Sequence, residues 1–287
     1  MPNYLSPTTS NLKLDELRIK LLEALFEKGF FYCELNGDQR NCTNFFAELL
    51  KSLSIRFAND ASRRGKHPSG LPSSSTVDMD FPAVDFHSEN SFSPATPDLV
   101  CFYCFNIDDQ LNGKGLTSLV DGNKVLHSLS MKDREILQSN QITYQLSLAV
   151  NRKLKGSGRR KWFYESPGVQ NAYINYEENT FEMTYSTYGI RKSPFSRLYS
   201  LANHLIIDLK TEPQIVSRSI PVLNPQNFHK IKSTLSETCN EHSDFINWSP
   251  NQFVVIDNNR IMHGRTSYDM KLKRDISNTQ ILISKTI

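Results

Sequence analysis

The chain has 287 residues, a length that fits one large domain or two small ones and suffices to bury a hydrophobic core. With 33 lysines and arginines against 30 aspartates and glutamates, the net charge of +3 is too balanced to indicate a nucleic-acid-binding protein. The odd count of five cysteines favours reduced thiols, and neither a signal peptide nor a membrane-spanning apolar run is recognisable, so we expect a cytoplasmic protein that does not enter membranes.

The first part of the chain alternates helix and strand signals. Leucines between Leu14 and Leu25 recur at helical spacing, and Gly29 follows as a stop signal, so a helix is predicted to end there. The run FFYCEL predicts a strand, and NFFAELLKSLSIRF predicts a second helix. Residues 67–82 are rich in Pro, Ser and Gly and are predicted to form a loop.

The middle of the chain is dominated by β-like runs separated by turn residues, namely DLVCFYCFNI, GLTSLV, ITYQLSLAV and FEMTYSTYG. Ser130 and Asp133 form a capping box that predicts a short helix, MKDREILQ, before the third of these runs. Ser193 before Pro194 is a favourable N-cap and first-turn pair, which predicts a helix through Leu209.

The last part of the chain contains one more helix and two strands. The spacing of Phe228, Ile231 and Leu235 predicts the helix, and NQFVVIDN and QILISKTI predict the strands. We find no internal repeat and no linker long enough to split the chain. Several β runs interrupted by helices predict one α/β domain around a barrel or sandwich core.

Two short motifs place a histidine two positions before an acidic residue. His87 and Glu89 lie in VDFHSENSF, where residues i and i+2 of an extended segment point to the same side and can reach one metal ion. His263 follows a buried run in FVVIDNNRIMHGR, and a His-x-Glu pair with one distant histidine is the ligand set of the non-haem Fe(II) facial triad. The second motif, His242 and Asp244, is interpreted as a solvated loop.

Three blocks in this order resemble the Fe(II)/2-oxoglutarate dioxygenases of the taurine dioxygenase superfamily: FHSENSFSPATPDLVCFYC, GKGLTSLVDG and VVIDNNRIMHGRTSYD. The chain looks most similar to the clavaminate-synthase-like branch, whose members carry Glu where most of the superfamily carries Asp and often hydroxylate free or carrier-bound amino acids. The resemblance implies that His87, Glu89 and His263 are catalytic metal ligands, with Fe(II), the cosubstrate 2-oxoglutarate and O2 as cofactors.

The resemblance also implies the fold, an α/β architecture with a double-stranded β-helix (jelly-roll) core and flanking helices. We therefore predict a single dioxygenase domain over residues 1–287. Residues 1–60 would form an N-terminal helical and strand flank, and residues 84–287 would form the metal-binding core. A helical insertion is predicted at about 190–245.

The cosubstrate site is implied residue by residue. In such enzymes an arginine past the distal histidine binds the far carboxylate of 2-oxoglutarate, and Arg274 stands at this place; its planar guanidinium suits a bidentate contact, and an ordinary ion pair is the alternative. Thr117 matches a hydroxyl that often contacts the same carboxylate, and strand packing is its alternative. Relatives often have a second arginine where this chain has Asn278, which departs from the family pattern.

Other candidate site residues have simpler interpretations. Cys101 and Cys104 form a C-x-x-C pair inside a predicted strand, where residues three apart point to opposite faces, so buried structural thiols are favoured over a shared metal. Arg260 and Arg265 flank the distal histidine and are predicted to brace the turn, with contact to a substrate carboxylate as the alternative.

The substrate is predicted from the branch and from composition. The basic segment NRKLKGSGRRKWF is read as a solvated loop, and the alternative is a contact with an anionic substrate or an acidic carrier protein. Arginine hydroxylases of the branch carry acidic residues near NTFEMTYSTYGIRKS, where this chain offers only Glu182. A neutral or aromatic amino acid, or a derivative made in natural-product biosynthesis, is therefore expected.

Several other reactions and functions remain open at this stage. Desaturation or cyclisation of a modified amino acid, including an isonitrile-type product, uses the same cofactors as hydroxylation. Outside the class, the chain could be an inactive barrel that binds a ligand. A zinc hydrolase with the same ligands is disfavoured by the downstream arginine.

Overall fold

The computed structural model of the protein describes residues 3–10, 13–35, 42–58, 74–76, 83–149, 163–212 and 214–283. Its α-helices with defined bounds are α1 (Leu14–Glu27), α2 (Cys42–Leu49), α3 (Gly122–Ser128), α4 (Met131–Ser139) and α5 (Pro225–Glu241). Short 3-10 helices cover Lys51–Leu53 and Asp109–Leu111. The basic segment at 151–162 and the predicted loop at 67–73 and 77–82 lie outside the described residues.

Strands make up most of the described chain. In chain order they are β1 (Asn3–Tyr4), β2 (Thr8–Ser10), β3 (Phe30–Leu35), β4 (Ile55–Phe57), β5 (Ser74–Thr76), β6 (Val84–His87), β7 (Leu99–Ile107), β8 (Thr117–Asp121), β9 (Gln141–Ala149), β10 (Val169–Asn175), β11 (Thr180–Tyr188), β12 (Ile190–Lys192), β13 (Tyr199–Leu201), β14 (Ile215–Ser219), β15 (Asp244–Ile246), β16 (Gln252–Asp257), β17 (Ile261–Arg265) and β18 (Arg274–Ile283).

Two large sheets form the core of the fold. The larger has the strand order β2-β3-β16-β7-β18-β4, with β5 also paired to β18, and the second has the order β1-β15-β8-β17-β6. Their facing sides share a hydrophobic cluster that includes Phe102 and Val254 from the first sheet and Leu119 and Ile261 from the second. This sandwich of two mainly antiparallel sheets with flanking helices is the predicted jelly-roll.

Further layers cover the outer faces of both large sheets. On one side, Leu17, Leu21 and Leu25 of α1 pack with α2 against the larger sheet. On the other side, α3, α4, α5 and a four-stranded sheet of order β10-β11-β9-β14 pack against the second sheet. In β9 buried residues alternate with more exposed ones, because strand side chains point alternately to the two faces.

The first helix forms as predicted from its leucine spacing and its stop signal. It ends before Gly29, whose φ of +80° is in the left-handed region that favours glycine. A Cβ at this position would also lie 2.9 Å from side-chain atoms of Arg260 and Ile261. Gly29 therefore ends α1 and lets the helix end approach the turn before the distal histidine.

The second helix is shorter than predicted. It ends at Leu49, Ser54 takes a left-handed φ of 49°, and Ile55–Phe57 forms β4 instead of a last helical turn. These three residues pair with the end of β18, so tertiary pairing overrides the helical pattern there. Within the predicted loop at 67–82, residues Ser74–Thr76 also pair with β18.

The helix predicted from Ser193 through Leu209 is wrong. The Ser193 hydroxyl accepts hydrogen bonds from the backbone N–H groups of Phe195 and Ser196, as an N-cap would, but Arg197 then takes a φ of 62°. The chain reverses and β13 pairs antiparallel with β12. The expected helical insertion at 190–245 is thus mostly strand and turn, and its defined helix is α5 alone within the described part of the chain.

Candidate functional site

The pairing of β6 with β17 brings His87 and His263 together. The two residues are directly opposite in the antiparallel register, and their ring centroids are 4.4 Å apart. Glu89 follows β6 by two residues, with its Oε2 atom 3.5 Å from His263 Nε2. One ligand atom from each of the three side chains lies within 4.8 Å of the others, and all three residues are buried. Among the described residues, no other cluster of three or more histidine, cysteine, aspartate or glutamate side chains has a geometry that could hold a metal ion.

A bulge next to His263 keeps the site close to the neighbouring strands. The register between β6 and β17 shifts between His263 and Arg265, so Gly264 lies at the irregularity. A Cβ on Gly264 would lie 2.8 Å from the Val84 carbonyl oxygen and 3.0 Å from the Ser118 hydroxyl. Any larger residue at 264 would push β17 away from β6 and separate the two imidazoles.

The His87 ring is oriented for metal binding. Its Nδ1 lies 2.8 Å from the Asp85 carbonyl oxygen, which can only accept a hydrogen bond, so Nδ1 carries the proton and the Nε2 lone pair is available. Nε2 is buried and has no hydrogen-bond partner in the described structure. Burial, together with the nearby His263 and His204, lowers the pKa of His87 to about 3. The imidazole is therefore neutral at pH 7, which is the form that coordinates metals.

Two asparagines hold Glu89. Asn258 accepts a hydrogen bond from the Glu89 backbone N–H at 2.7 Å and donates one to the Glu89 carbonyl oxygen at 3.0 Å. Asn278, on β18, donates from Nδ2 to the Glu89 Oε2 atom at 3.0 Å. The residue that stands where relatives often carry a second arginine thus contacts the carboxylate of the candidate triad. Sequence reasoning missed this contact.

Arg274 and Thr117 lie together in the same cavity as the triad. Arg274 donates from Nε to the Gly115 carbonyl oxygen at 2.9 Å and from Nη2 to the Thr117 hydroxyl at 3.0 Å, but its buried Nη1 has no partner in the described structure. Trp248, which sequence reasoning missed, also donates to the Thr117 hydroxyl at 2.8 Å. Because both lone pairs of that oxygen are occupied, its proton must point to another acceptor.

The electrostatics of this subsite favour an anion. Burial and, to a smaller extent, the nearby Arg265 lower the pKa of Arg274 to about 9. Arg265 also lines this buried cavity, so two guanidinium groups share it. A carboxylate placed between the Nη1 atom of Arg274 and the Thr117 hydroxyl would satisfy both groups.

A carboxylate also lines the cavity, from the segment after β13. Glu212 and Thr211 lie in its wall together with Arg265, whose guanidinium is 5.4 Å from the ring centroid of Tyr268. The Glu212 carboxylate accepts a hydrogen bond from Gln214 and its Oε1 lies 3.8 Å from His204 Nε2. The cavity thus carries side chains of both charge signs. Sequence reasoning did not predict a role for Glu212, which lies just after the helix that was wrongly predicted to run through Leu209.

His204 is a second residue that sequence reasoning missed. Its ring centroid lies 4.8 Å from that of His87, and its Nδ1 is 2.9 Å from the Ser91 hydroxyl. Burial lowers its pKa to about 3, so it is neutral at pH 7. The adjacent Asn203 carbonyl oxygen accepts from Ser88 N–H at 3.0 Å, so this segment supports the loop that carries Glu89.

The remaining sequence candidates lie outside the cavity. Arg260, which was predicted to brace the turn before the distal histidine, donates to the Asp121 carboxylate and to the carbonyl oxygens of Phe26 and Glu27, and so links this turn to β8 and to the end of α1. Glu182 accepts from Ser147 and Thr180 on the four-stranded sheet. In the second His-x-acid motif, His242 is the C-cap residue of α5 and Asp244 is the first residue of β15.

The cysteine pair lies within β7 as predicted. Cys101 and Cys104 are both buried but face opposite sides of the sheet, Cys101 toward α1 and α2 and Cys104 toward the space between the two large sheets. Burial raises the pKa of Cys104 to about 12, so its thiol stays protonated. The two sulfurs cannot share a metal.

No helix among the described residues is long and apolar enough to cross a membrane.

The chain matches one protein-family model, described as the taurine catabolism dioxygenase TauD, TfdA family, over residues 14–280. Within that span lie the candidate triad, Thr117, Arg274 and Asn278. A search of curated proteins found no match.

Solved structures share the fold at low sequence identity. A crystal structure of AAD-2 with Mn(II) and N-oxalylglycine has a TM-score of 0.61 at 14% identity, covering 99% of this chain and 98% of the other. A taurine dioxygenase from Burkholderia xenovorans has a TM-score of 0.60 at 12% identity, with coverages of 99% and 89%. Another protein of that organism, assigned to the α-ketoglutarate-dependent 2,4-D dioxygenases, has a TM-score of 0.57 at 13% identity, with coverages of 98% and 95%.

Proposed function

Because the chain belongs to the TauD/TfdA family of dioxygenases, which use Fe(II), 2-oxoglutarate and O2, we propose that it oxidises a free amino acid or a close derivative. In this proposal His87, Glu89 and His263 hold the iron, and Arg274 and Thr117 hold the far carboxylate of 2-oxoglutarate. The substrate then occupies the part of the same cavity that Glu212 and Arg265 line.

The metal role is supported by the convergence of three buried ligand atoms and by the unpartnered Nε2 atom of His87. Two imidazoles and one carboxylate match the ligand set that non-haem Fe(II) oxygenases use, and they leave other coordination positions for cosubstrate and oxygen. When bound, the iron and 2-oxoglutarate supply the oxidising chemistry, in which 2-oxoglutarate becomes succinate and carbon dioxide. The chain's own task is to hold the metal, orient both substrates and exclude water.

The cosubstrate role of Arg274 is supported by its geometry. Hydrogen bonds to Gly115 and Thr117 fix the Nε and Nη2 atoms. Because the guanidinium is planar and rigid, these bonds also fix the direction of the third nitrogen, Nη1. A carboxylate bound there would form charge-assisted hydrogen bonds in a buried site, where they are stronger than in water. N-oxalylglycine bound to AAD-2, a protein of similar fold, carries carboxylates of this kind.

We also propose that residues 1–287 form one dioxygenase domain in the cytoplasm. The N-terminal flank contributes β3, which pairs with β16 in the larger sheet, so it shares the core rather than forming a unit of its own. The odd number of cysteines favours a reducing compartment.

A single observation carries the substrate assignment: the cavity that holds the triad also presents a carboxylate, Glu212, and a second guanidinium, Arg265. An α-amino acid carries an ammonium group and a carboxylate, which can pair with these two side chains. Charge complementarity of this kind would fix the orientation of the substrate in the cavity. An amino acid bound to a carrier as a thioester has no free carboxylate, so Arg265 favours a free amino acid.

Hydroxylation is the proposed outcome, and desaturation or ring closure is the second candidate. All of these begin with removal of hydrogen from the same substrate carbon, so the site residues do not separate them. The product mass does, since hydroxylation adds one oxygen and the other reactions remove two hydrogens.

The proposal is tested by an anaerobic titration of the protein loaded with Fe(II) and 2-oxoglutarate against a panel of compounds. The panel contains L-amino acids, their N-acetyl derivatives, taurine and an aryloxyacetic acid, and the readout is the change in the iron charge-transfer absorption band. We expect an amino acid to change the band and its N-acetyl derivative to bind at least about tenfold more weakly, because Glu212 then loses its cation.

Two substitutions provide the comparison. Glu212→Gln should weaken binding of the amino acid about tenfold or more, and Glu182→Gln, which alters a carboxylate outside the cavity, should not. Tighter binding of an acid that lacks an ammonium group, or an unchanged affinity in Glu212→Gln, would contradict the substrate assignment. Absence of a charge-transfer band would contradict the oxygenase itself and favour an inactive barrel.

A further inference from the structure

We propose that Asn278 is a positioning residue that sets the Glu89 carboxylate for metal binding. This inference rests on the proposed function, since it assumes that Glu89 is a metal ligand. Its starting point is a single contact, in which Asn278 Nδ2 donates to Glu89 Oε2 at 3.0 Å in a part of the protein that is almost fully buried.

The inner face of β18 places Asn278 in a row of mostly polar side chains. Arg274, Ile276, Asn278 and Gln280 alternate with residues of the opposite face, such as Ile281, which packs in the cluster with α1. Of this row, Arg274 lies in the proposed cosubstrate subsite, Asn278 bonds Glu89, and Gln280 accepts from Asn90 at 2.8 Å. One strand therefore positions the cosubstrate arginine and the loop that carries the metal carboxylate.

The contacts of Glu89 divide between its backbone and its side chain. Asn258 fixes the backbone through two hydrogen bonds, and neither of these bonds holds the carboxylate. The bond from Asn278 restrains the carboxylate at Oε2, the oxygen that lies 3.5 Å from His263 Nε2. Partners of this kind orient metal ligands, and their loss typically weakens metal binding about 10- to 100-fold.

The neutral charge of Asn278 matters as much as its hydrogen bond. Asn278 donates a hydrogen bond to this carboxylate and, unlike an arginine, brings no charge to it. An amide orients the carboxylate without neutralising it. In this proposal Asn278 orients the metal-binding carboxylate of Glu89. Arg274 is the cation that binds the far carboxylate of 2-oxoglutarate.

The test measures Mn(II) binding by the purified protein, without 2-oxoglutarate, by electron paramagnetic resonance of the unbound ion. Asn278→Leu keeps a side chain of similar size, and Asn278→Ala avoids overpacking. We expect each variant that retains its circular dichroism spectrum to bind Mn(II) about 10- to 100-fold more weakly than the unaltered protein. Thr279→Val is the matched control, because Thr279 is buried on the same strand and its side chain points to the opposite face.

The variant His87→Ala distinguishes a failure of the proposed metal site from a failure of the proposed role of Asn278. If His87→Ala binds Mn(II) as tightly as the unaltered protein, the proposed metal site is wrong. If His87→Ala loses Mn(II) binding while a folded Asn278 variant keeps its affinity, only the role of Asn278 is overturned. Failure of both Asn278 variants to fold would also overturn it, since the residue would then serve the fold rather than the metal.

Discussion

At the scale of single residues, Arg274 shows how burial prepares a side chain for an anion. Its guanidinium is fixed by Gly115 and Thr117, and burial with the nearby Arg265 lowers its pKa to about 9. The cost of holding this cation in the core falls when a carboxylate binds. In the proposed function, the same energy difference contributes to the affinity for 2-oxoglutarate.

Replacing this arginine should therefore raise the requirement for 2-oxoglutarate. Truncation of a buried, hydrogen-bonded charge typically costs about 2 kcal/mol or more, so Arg274→Ala should raise the KM for 2-oxoglutarate at least about 30-fold. Arg274→Lys should give an intermediate value, because it keeps the charge but loses the planar fork. Initial rates of succinate formation measure both, with the exposed Arg56→Ala as the control. Equal KM values in all four proteins would exclude Arg274 from the cosubstrate site.

The sequence could predict that His87, Glu89 and His263 converge, because a short motif and a distant block have recognisable residues and spacing. Their role as ligands, like that of Arg274 and Thr117, stays a prediction. The contacts of Asn278, Trp248, His204 and Glu212 could not be predicted, since each depends on which loop or strand packs opposite it.

At the scale of elements, the turn between β12 and β13 depends on a buried carboxyl group. Ser193 donates from its hydroxyl to Asp257 Oδ2 at the end of β16, and Asn259 N–H donates to the other oxygen at 3.0 Å. Burial raises the pKa of Asp257 to about 7, although these hydrogen bonds and Arg260 oppose the shift. The sequence signal for a helix N-cap at Ser193 was real, but the hydroxyl serves this turn instead of a helix.

The raised pKa of Asp257 predicts a dependence of stability on pH. The folded state holds the proton more tightly than the unfolded state, whose pKa is near 3.8, so this contribution to the free energy of unfolding falls as pH rises from about 4 to 7. The side chain of Asp257→Asn cannot ionise, so this variant should lose the pH-dependent contribution of residue 257 to the free energy of unfolding.

The melting temperature of Asp257→Asn minus that of the unaltered protein should therefore increase between pH 5 and pH 7 and then level off. Circular dichroism melts at several pH values measure this difference. Contributions from groups that the substitution does not affect cancel in this difference. Parallel profiles for the two proteins would show that Asp257 is ionised throughout this range.

At the scale of the whole molecule, the proposed metal joins elements that lie far apart in the sequence. His87 and Glu89 come from β6 and the loop after it, and His263 comes from β17, near the other end of the chain. The layered fold was predictable from alternating β runs and amphipathic helices. The hairpin of β12 and β13 and the pairing of β4 and β5 with β18 were not, because they depend on long-range partners.

Metal and cosubstrate should therefore stabilise the folded state. At 100 times the dissociation constant a ligand adds about 2.7 kcal/mol to the free energy of unfolding, and for a chain of this size each kcal/mol raises Tm by about 2–4 °C. Addition of Mn(II) and 2-oxoglutarate should produce such an increase in a thermal melt, and EDTA should reverse it.

His87→Ala, Glu89→Ala and His263→Ala should each fold, lack this increase and lose turnover. His127→Ala, which removes an exposed histidine, should retain both. An undiminished increase in any of the three triad variants would mean that the metal binds elsewhere.

The opposed positions of His87 and His263 have a consequence for how the protein matures. Both imidazoles belong to the same rung of one ladder, so a slip of a single residue would turn one of them to the opposite face of the sheet. A chain in which β6 and β17 pair in the wrong register cannot present both imidazoles to one ion. If these residues bind the proposed iron, its binding would stabilise only molecules in which the two strands are paired correctly.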